Sequence, residues 1–296
     1  MTKRSLYFEC NTGISGDMTV AALLDAGASE EVLMKALSGI NDEGFEVKIS
    51  RVKKSGLDCC DFDVVLDSEH ENHDHDMEYL YGHDHDHDHH HHHHHDDDHH
   101  HHHHHHHDHE HEHHHHEHGH HHEHRNPNDI KTIIDRLDIT ENAKSIAFRV
   151  FDILAEAEAK AHGTSIDEVH FHEVGALDSI VDIVAAAVCI DNLAVDEVIV
   201  KSISEGTGSV RCQHGVIPVP VPAVTNIIAA HKLPLKIVDR EGEFVTPTGA
   251  AFLAATMTKN ELPESFTIAR VGMGAGKRDY DPPGILRAMI IESSDE

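Results

Sequence analysis

The chain has 296 residues, enough for one large core or two smaller ones. Its 54 acidic against 23 basic residues give a formal charge of −31, which repels phosphate backbones and anionic lipid, so neither nucleic acid nor membrane is an expected partner. Five cysteines, an odd number with Cys59 and Cys60 adjacent, point to reduced thiols rather than a disulfide framework. The N-terminus shows no basic segment followed by an apolar run, and no apolar stretch reaches transmembrane length, so the expected location is cytoplasmic.

In chain order, Leu6 to Cys10 reads as a short buried strand, Asn11 to Gly16 as a glycine turn, and Met18 to Ala26 as a helix. A second helix is expected over Glu30 to Leu37. Paired strands follow at Phe45 to Val52 and Phe62 to Leu66, around a turn at Gly56, completing a β-α-α-β-β part over residues 1–68. Residues 69–124 then break the pattern. Order is expected to return near Asn128, with a helix to Leu137 and a longer one from Glu141 to Ala161, forming a helical part over 125–163 that packs on the N-terminal lobe.

From 164 to 292 a second lobe is expected. Val169 to His172 looks extended, and Ala176 to Leu193 is apolar nearly all round, as a buried helix would be. Strands follow at Glu197 to Lys201 and Gly208 to Arg211, then helices at Ala223 to Ala230 and Thr248 to Thr258. Strands at Phe266 to Val271 and Ile285 to Ile291 close the chain, with Gly272 to Gly276 read as a turn offering an anion contact beside Lys277 and Arg278. The expected class is α/β or α+β, with two mixed lobes interrupted by a disordered His/Asp/Glu-rich insert.

That insert holds 33 of the 38 histidines and 16 acidic residues, with no Lys or Arg; without it, 240 residues remain with a charge of −15. Neutral imidazole ligates Ni, Zn, Cu and Co, and interleaved carboxylates concentrate divalent cations. Unbroken runs such as His89, His90, His91 and His101, His102, His103 are the densest donors. At four ligands per ion, the tract would hold roughly eight ions.

In the folded part, His170 and His172 stand two apart on an expected strand and so share a face, with Glu173, Asp178 and Asp182 close behind. Asp178 and Asp182 are four apart and share a helix face. This constellation suits a metal site or a proton-transfer pair; the competing reading is a helix start and a polar cleft. Cys212 and His214 offer a thiol and an imidazole two residues apart. Cys212 reads first as an ordinary strand cysteine, and His214, in a proline-rich loop, as the better ligand. Two loops would seat a phosphate on helix-start N–H groups: Gly13, Ser15, Gly16 and Asp17 in one, Thr246, Thr248 and Gly249 in the other. Neither continues into Gly-Lys-Ser/Thr, so neither is a P-loop, and simple turn chemistry is the alternative for each.

Taken together, Gly13-Ile14-Ser15-Gly16-Asp17-Met18, the run Val169 to Ala176 with Asp178-Ser179-Ile180 and Asp182, and Thr246-Pro247-Thr248-Gly249-Ala250 resemble the nickel-insertion proteins that mature lactate racemase. The resemblance covers nearly the whole chain outside the tract. The family's turn usually begins Asp-Cys-Phe-Ser-Gly, where this chain has Glu9 to Gly13.

The resemblance implies a nickel-inserting lyase, a chelatase or cyclometallase, that puts Ni(2+) into pyridinium-3,5-bisthiocarboxylic acid mononucleotide to make the nickel-pincer cofactor. It also implies CTP with Mg(2+) or Mn(2+), used through a C-terminal companion domain or chain, and transfer of the product to lactate racemase. On this reading the tract collects nickel, and His170, His172 and Asp182 hold it with His214. Glu173, His172 and Asp178 do the proton chemistry, and the glycine loops hold the phosphate. The competing class is a non-catalytic nickel storage or delivery protein.

Because the tract's imidazoles titrate near 6.5, acidification from about pH 7.5 to about pH 5.5 is expected to release most tract-bound metal. Equilibrium dialysis checks this; retention at the lower pH would show that other groups bind it.

Overall fold

Alternation along the strands decides which residues meet the helices. In β1 (Thr2–Cys10) Leu6, Phe8 and Cys10 enter the main core, while Tyr7 faces a smaller cluster built on Ile199, Met289 and Ile291. The same split recurs in β4 (Glu197–Thr207), where Val198, Val200 and Ile203 face the main core and Ile199 the other side. The computed structural model describes residues 2–40, 44–66, 127–166, 177–212 and 214–294, with Met77, Leu80 and Val169.

The remaining strands are β2 (Phe45–Lys54), β3 (Leu57–Leu66), β5 (Ser209–Cys212), β6 (Gly215–Pro218), β7 (Leu235–Glu241), β8 (Thr267–Ala275) and β9 (Ile285–Ser294). Among the described residues, seven of the nine strands form one mixed sheet in the order β2-β3-β8-β9-β1-β4-β7, and β5 and β6 make a separate hairpin. β1 runs parallel to β4 and antiparallel to β9, so the start, middle and end of the chain meet at the sheet's centre. The mixed α/β class is as expected. Strands from both sides of residue 163 enter the same sheet, so the two expected lobes meet there.

Among the described residues the helices are α1 (Gly16–Asp25), α2 (Glu30–Leu37), α3 (Pro127–Arg136), α4 (Glu141–His162), α5 (Leu177–Leu193), α6 (Pro222–His231) and α7 (Pro247–Thr256). Ser29 and Thr140 cap α2 and α4, and Gly163 ends α4 in the left-handed conformation that glycine tolerates. α1 lies along β8, β9 and β3, and α7 reaches β1 through the edge-on rings of Phe252 and Phe8, 6.2 Å apart. α5 packs on α1 and α2, and α4 packs on α5, α6 and α7. The all-round apolar run of α5 is thus explained, since neighbours surround it. No described helix is long and apolar enough to cross a membrane.

Two strands had no sequence counterpart. β6 is only four residues long, and β7 is an edge strand with most side chains exposed, so neither shows an apolar alternation. The stretch read as a turn from Gly272 is instead the second half of β8, to Ala275. Its glycines serve close packing: a Cβ on Gly272 would lie 2.2 Å from the Ala22 carbonyl oxygen, and one on Gly274 2.1 Å from that of Met18.

One buried acid fixes the loop before α7. Glu205, fully buried in β4, accepts through Oε1 from the backbone N–H groups of Gly206 (2.8 Å), Phe244 (2.7 Å) and Val245 (3.3 Å). Its Oε2 is buried without a hydrogen-bond partner among the described residues. Burial raises its pKa to about 7, against the donated hydrogen bonds that pull it down.

The native carboxyl therefore keeps a proton that the unfolded chain, with a carboxyl near 4.5, has already lost. Stability should fall as pH rises between these two values, by up to about 1.4 kcal/mol per unit, and level off above the upper one. Glu205→Gln should remove that slope in urea titrations; parallel profiles for both proteins would contradict it. Gly274→Val, which forces β8 off α1, should cost on the order of 1–3 kcal/mol by the same measurement, and an unchanged midpoint would show that the contact is dispensable.

Candidate functional site

Helix starts supply free N–H groups and a partial positive charge, and four of them converge here. A cavity of about 380 Å³ is lined by Ser15, Gly16 and Asp17 at the start of α1 and by Asp178, Ser179 and Asp182 in the first turns of α5. Pro222 and Ala223 open α6 on it, and Thr246, Pro247 and Thr248 open α7. The two glycine loops of the sequence are joined through Ile14, whose N–H donates to the Phe244 carbonyl (2.9 Å) and whose carbonyl accepts from Thr246 N–H (3.1 Å). Gly249 has no room for a side chain, since a Cβ would lie 2.4 Å from the Ile14 carbonyl oxygen. Gly13 sits at φ +83, where its missing Cβ lets the Phe244 carbonyl approach.

The acids are held at short range. Ser15 Oγ donates to Asp17 Oδ1, while Asp17 Oδ2 is buried without a hydrogen-bond partner among the described residues. Asp182 crosses to the same place from α5: a Cβ on Gly16 would lie 2.5 Å from Asp182 Oδ2. Burial, reinforced by Asp17 and Asp178, pushes the Asp182 carboxyl well up, and Lys277 opposes this. Lys277 is itself anchored on β3, with Nζ 2.6 Å from Asp63 and 3.5 Å from Asp61. A carboxyl raised in this way holds a proton more readily than an exposed acid and can take part in proton transfer.

Another part of the wall carries softer donors. Cys212 Sγ lies 3.7 Å from His214 Nδ1, the His162 and His214 rings are 4.7 Å apart between centroids, and His162 Nε2 is 3.5 Å from Glu158. Burial, then His162, lowers the His214 pKa, which favours the neutral ring that binds metals. Arg278 Nη1 donates to Glu243 Oε2, and the Phe244 and Tyr280 rings stack at a tilt 5.2 Å apart; all four residues line the cavity. Among the described residues, no group of three or more His, Cys, Asp or Glu side chains stands ready to enclose a metal ion.

Of the residues singled out in the sequence, Ser15, Gly16, Asp17, Asp178, Asp182, His214, Thr246 and Thr248 therefore line one cavity, and Gly13 and Gly249 support it from behind. His170, His172 and Glu173, like the tract histidines His89, His90, His91, His101, His102 and His103, lie outside the described residues. Sequence reasoning missed Glu158, His162, Glu243 and Tyr280. The first two had only their i, i+4 spacing on a long amphipathic helix to mark them.

The chain matches the model of the nickel insertion protein family over residues 6–296. A protein of Alkaliphilus metalliredigens named pyridinium-3,5-bisthiocarboxylic acid mononucleotide nickel insertion protein is 50% identical over 98% of this chain and 61% of its own length. Proteins of the same name from Clostridium acetobutylicum and Clostridium kluyveri are 42% and 39% identical, over 98% and 97% of this chain and 64% and 62% of their own lengths. The chain thus spans about three fifths of these curated relatives. No solved structure matches it. With a family match from its first core strand to its last residue, the chain belongs to the nickel insertion protein family.

Proposed function

We propose that the cavity binds the pyridinium-3,5-bisthiocarboxylic acid mononucleotide and that the chain takes part in inserting nickel into it, giving the nickel-pincer cofactor that lactate racemase uses. The observation that carries this reading is the meeting of Ser15, Asp17, Asp178, Asp182, Thr246 and Thr248, from three separate motifs, around one space. The ligand would be an anion with a phosphate and two thiocarboxylates, and helix starts are the backbone's own anion-binding device. Thr246, Thr248 and the α1 and α7 starts would hold the phosphate. Tyr280 and Phe244 would offer ring faces to the pyridinium.

In the insertion, the ring carbon between the two thiocarboxylates loses its proton as the nickel–carbon bond forms, and two nickel–sulfur bonds complete the product. Nickel remains divalent throughout. Asp178, Glu173 and His172 are proposed to accept the proton, and His170, His172, Asp182 and His214 to present the ion. Asp182 is protonated more readily than an exposed acid, so it would become a ligand only after releasing its proton.

The tract would gather nickel for this site. Its 33 imidazoles also favour a second reading, in which the chain stores or delivers nickel without catalysis. CTP with Mg(2+) or Mn(2+) is expected to act through a C-terminal companion domain or chain.

Cofactor formation should be assayed with nickel, CTP and the companion region added singly and together. In the complete mixture, Asp178→Asn and Glu173→Gln should each slow formation by about 100-fold, the usual worth of a general base, while bulk nickel binding stays at the wild-type level. Undiminished turnover would remove the altered residue from the chemistry. A mixture that never forms cofactor, in a protein that still fills with nickel, would leave the storage reading.

A further inference from the structure

We infer that Cys212 and His214 form a nickel-transfer chelate in the cavity wall, with His162 as the neighbouring second imidazole. This rests on the proposed insertion and names the step before it. A tetrahedral first-row ion with bonds of about 2.3 Å to sulfur and about 2.0 Å to nitrogen keeps those two atoms roughly 3.5 Å apart. Cys212 Sγ and His214 Nδ1 are 3.7 Å apart, a weak hydrogen bond to sulfur that already sets the two atoms close to the spacing of two ligands on one ion.

Three further observations support the site. First, Cys212 is half-exposed, whereas Cys10, Cys59, Cys60 and Cys189 are buried, so it is the cysteine an ion can reach. Second, His162 Nε2 lies 3.5 Å from Glu158 Oε2, and a carboxylate on one ring nitrogen orients the other toward a metal. Third, Glu158, His162, Cys212 and His214 come from two distant parts of the chain, α4 and the β5–β6 turn, yet all line the cavity proposed to hold the thiocarboxylates.

Among the described residues no group of three or more donors encloses an ion, and a two-ligand chelate of Cys212 and His214 suits transfer. Closed four-ligand sites retain their metal, while sites with open positions admit a substrate. On binding, the Cys212 thiol gives its proton to solvent and the thiolate bonds to nickel. The incoming thiocarboxylate sulfurs would fill the open positions, and release of the Cys212 and His214 bonds would complete the transfer. A thiolate and imidazoles suit nickel better than the carboxylates nearby do.

The full chain, loaded with nickel(II) chloride beyond the capacity of the tract, provides the test. Thiolate-to-nickel charge transfer absorbs in the near ultraviolet, and the tract, which contains no cysteine, cannot produce it. The wild-type protein should show the band, Cys212→Ser should lose it, and His214→Ala should shift its appearance to at least tenfold higher nickel. Nickel should also slow alkylation of Cys212 at least tenfold in the wild-type protein and not in His214→Ala.

Absence of the band from the wild-type protein, or its persistence in a folded Cys212→Ser variant, would overturn the chelate. Cofactor formation at limiting nickel separates this from the insertion itself. A band without cofactor would keep the chelate and remove the insertion, whereas wild-type rates in Cys212→Ser would keep the insertion and overturn the transfer role.

Discussion

Ile14 is the small element on which the site depends. Its backbone bonds to both Phe244 and Thr246, a one-residue parallel bridge to Val245 that ties the loop before α1 to the loop before α7. Two helix starts are thereby fixed side by side, with Gly249 allowing the approach and Glu205 gripping the Phe244 and Val245 N–H groups from behind. Without this bridge the two sets of N–H groups would belong to separate loops. With it they face one cavity, joined by the first turns of α5 and α6.

The arrangement sets up a charge balance. Helix starts, Lys277 and Arg278 favour anions, while Asp17, Asp178 and Asp182 crowd negative charge into the same wall. Burial and the neighbouring acids push the Asp182 carboxyl well up, so the cavity can receive an anionic ligand beside a group that takes a proton more readily than an exposed acid does. Arg278 is engaged by Glu243, which keeps a guanidinium at the cavity without leaving it to pair with those aspartates. A site of this kind suits chemistry in which a metal cation replaces a proton, since both carry positive charge into the same cluster of carboxylates.

Much of this was legible in the sequence because the cues were local. Glycine before a helix, Thr246 at a cap position and the paired acids Asp178 and Asp182 in the first turns of the largely apolar α5 each announce themselves within a few residues. Their convergence was not legible, because residues 15 and 246 are brought together only by the parallel crossing of β1 and β4 and the Ile14 bridge. Glu158 and His162 look like the wet side of a helix until the fold sets them on the cavity wall, and Glu205 looks like an ordinary strand residue until packing buries it. β7 escaped notice for the opposite reason, since its exposure leaves no apolar period to read.

The most direct test of the central claim is calorimetric titration of the thiocarboxylated mononucleotide into the full chain without nickel, comparing wild type with Gly16→Ala. The added methyl lies 2.5 Å from Asp182 Oδ2, so it must displace that carboxylate at the start of α1. Saturable binding by the wild type, weakened at least tenfold in a folded Gly16→Ala variant and competed by inorganic phosphate, is the predicted result. Equal affinity in both proteins, or no binding by either, would contradict the placement of the ligand in this cavity.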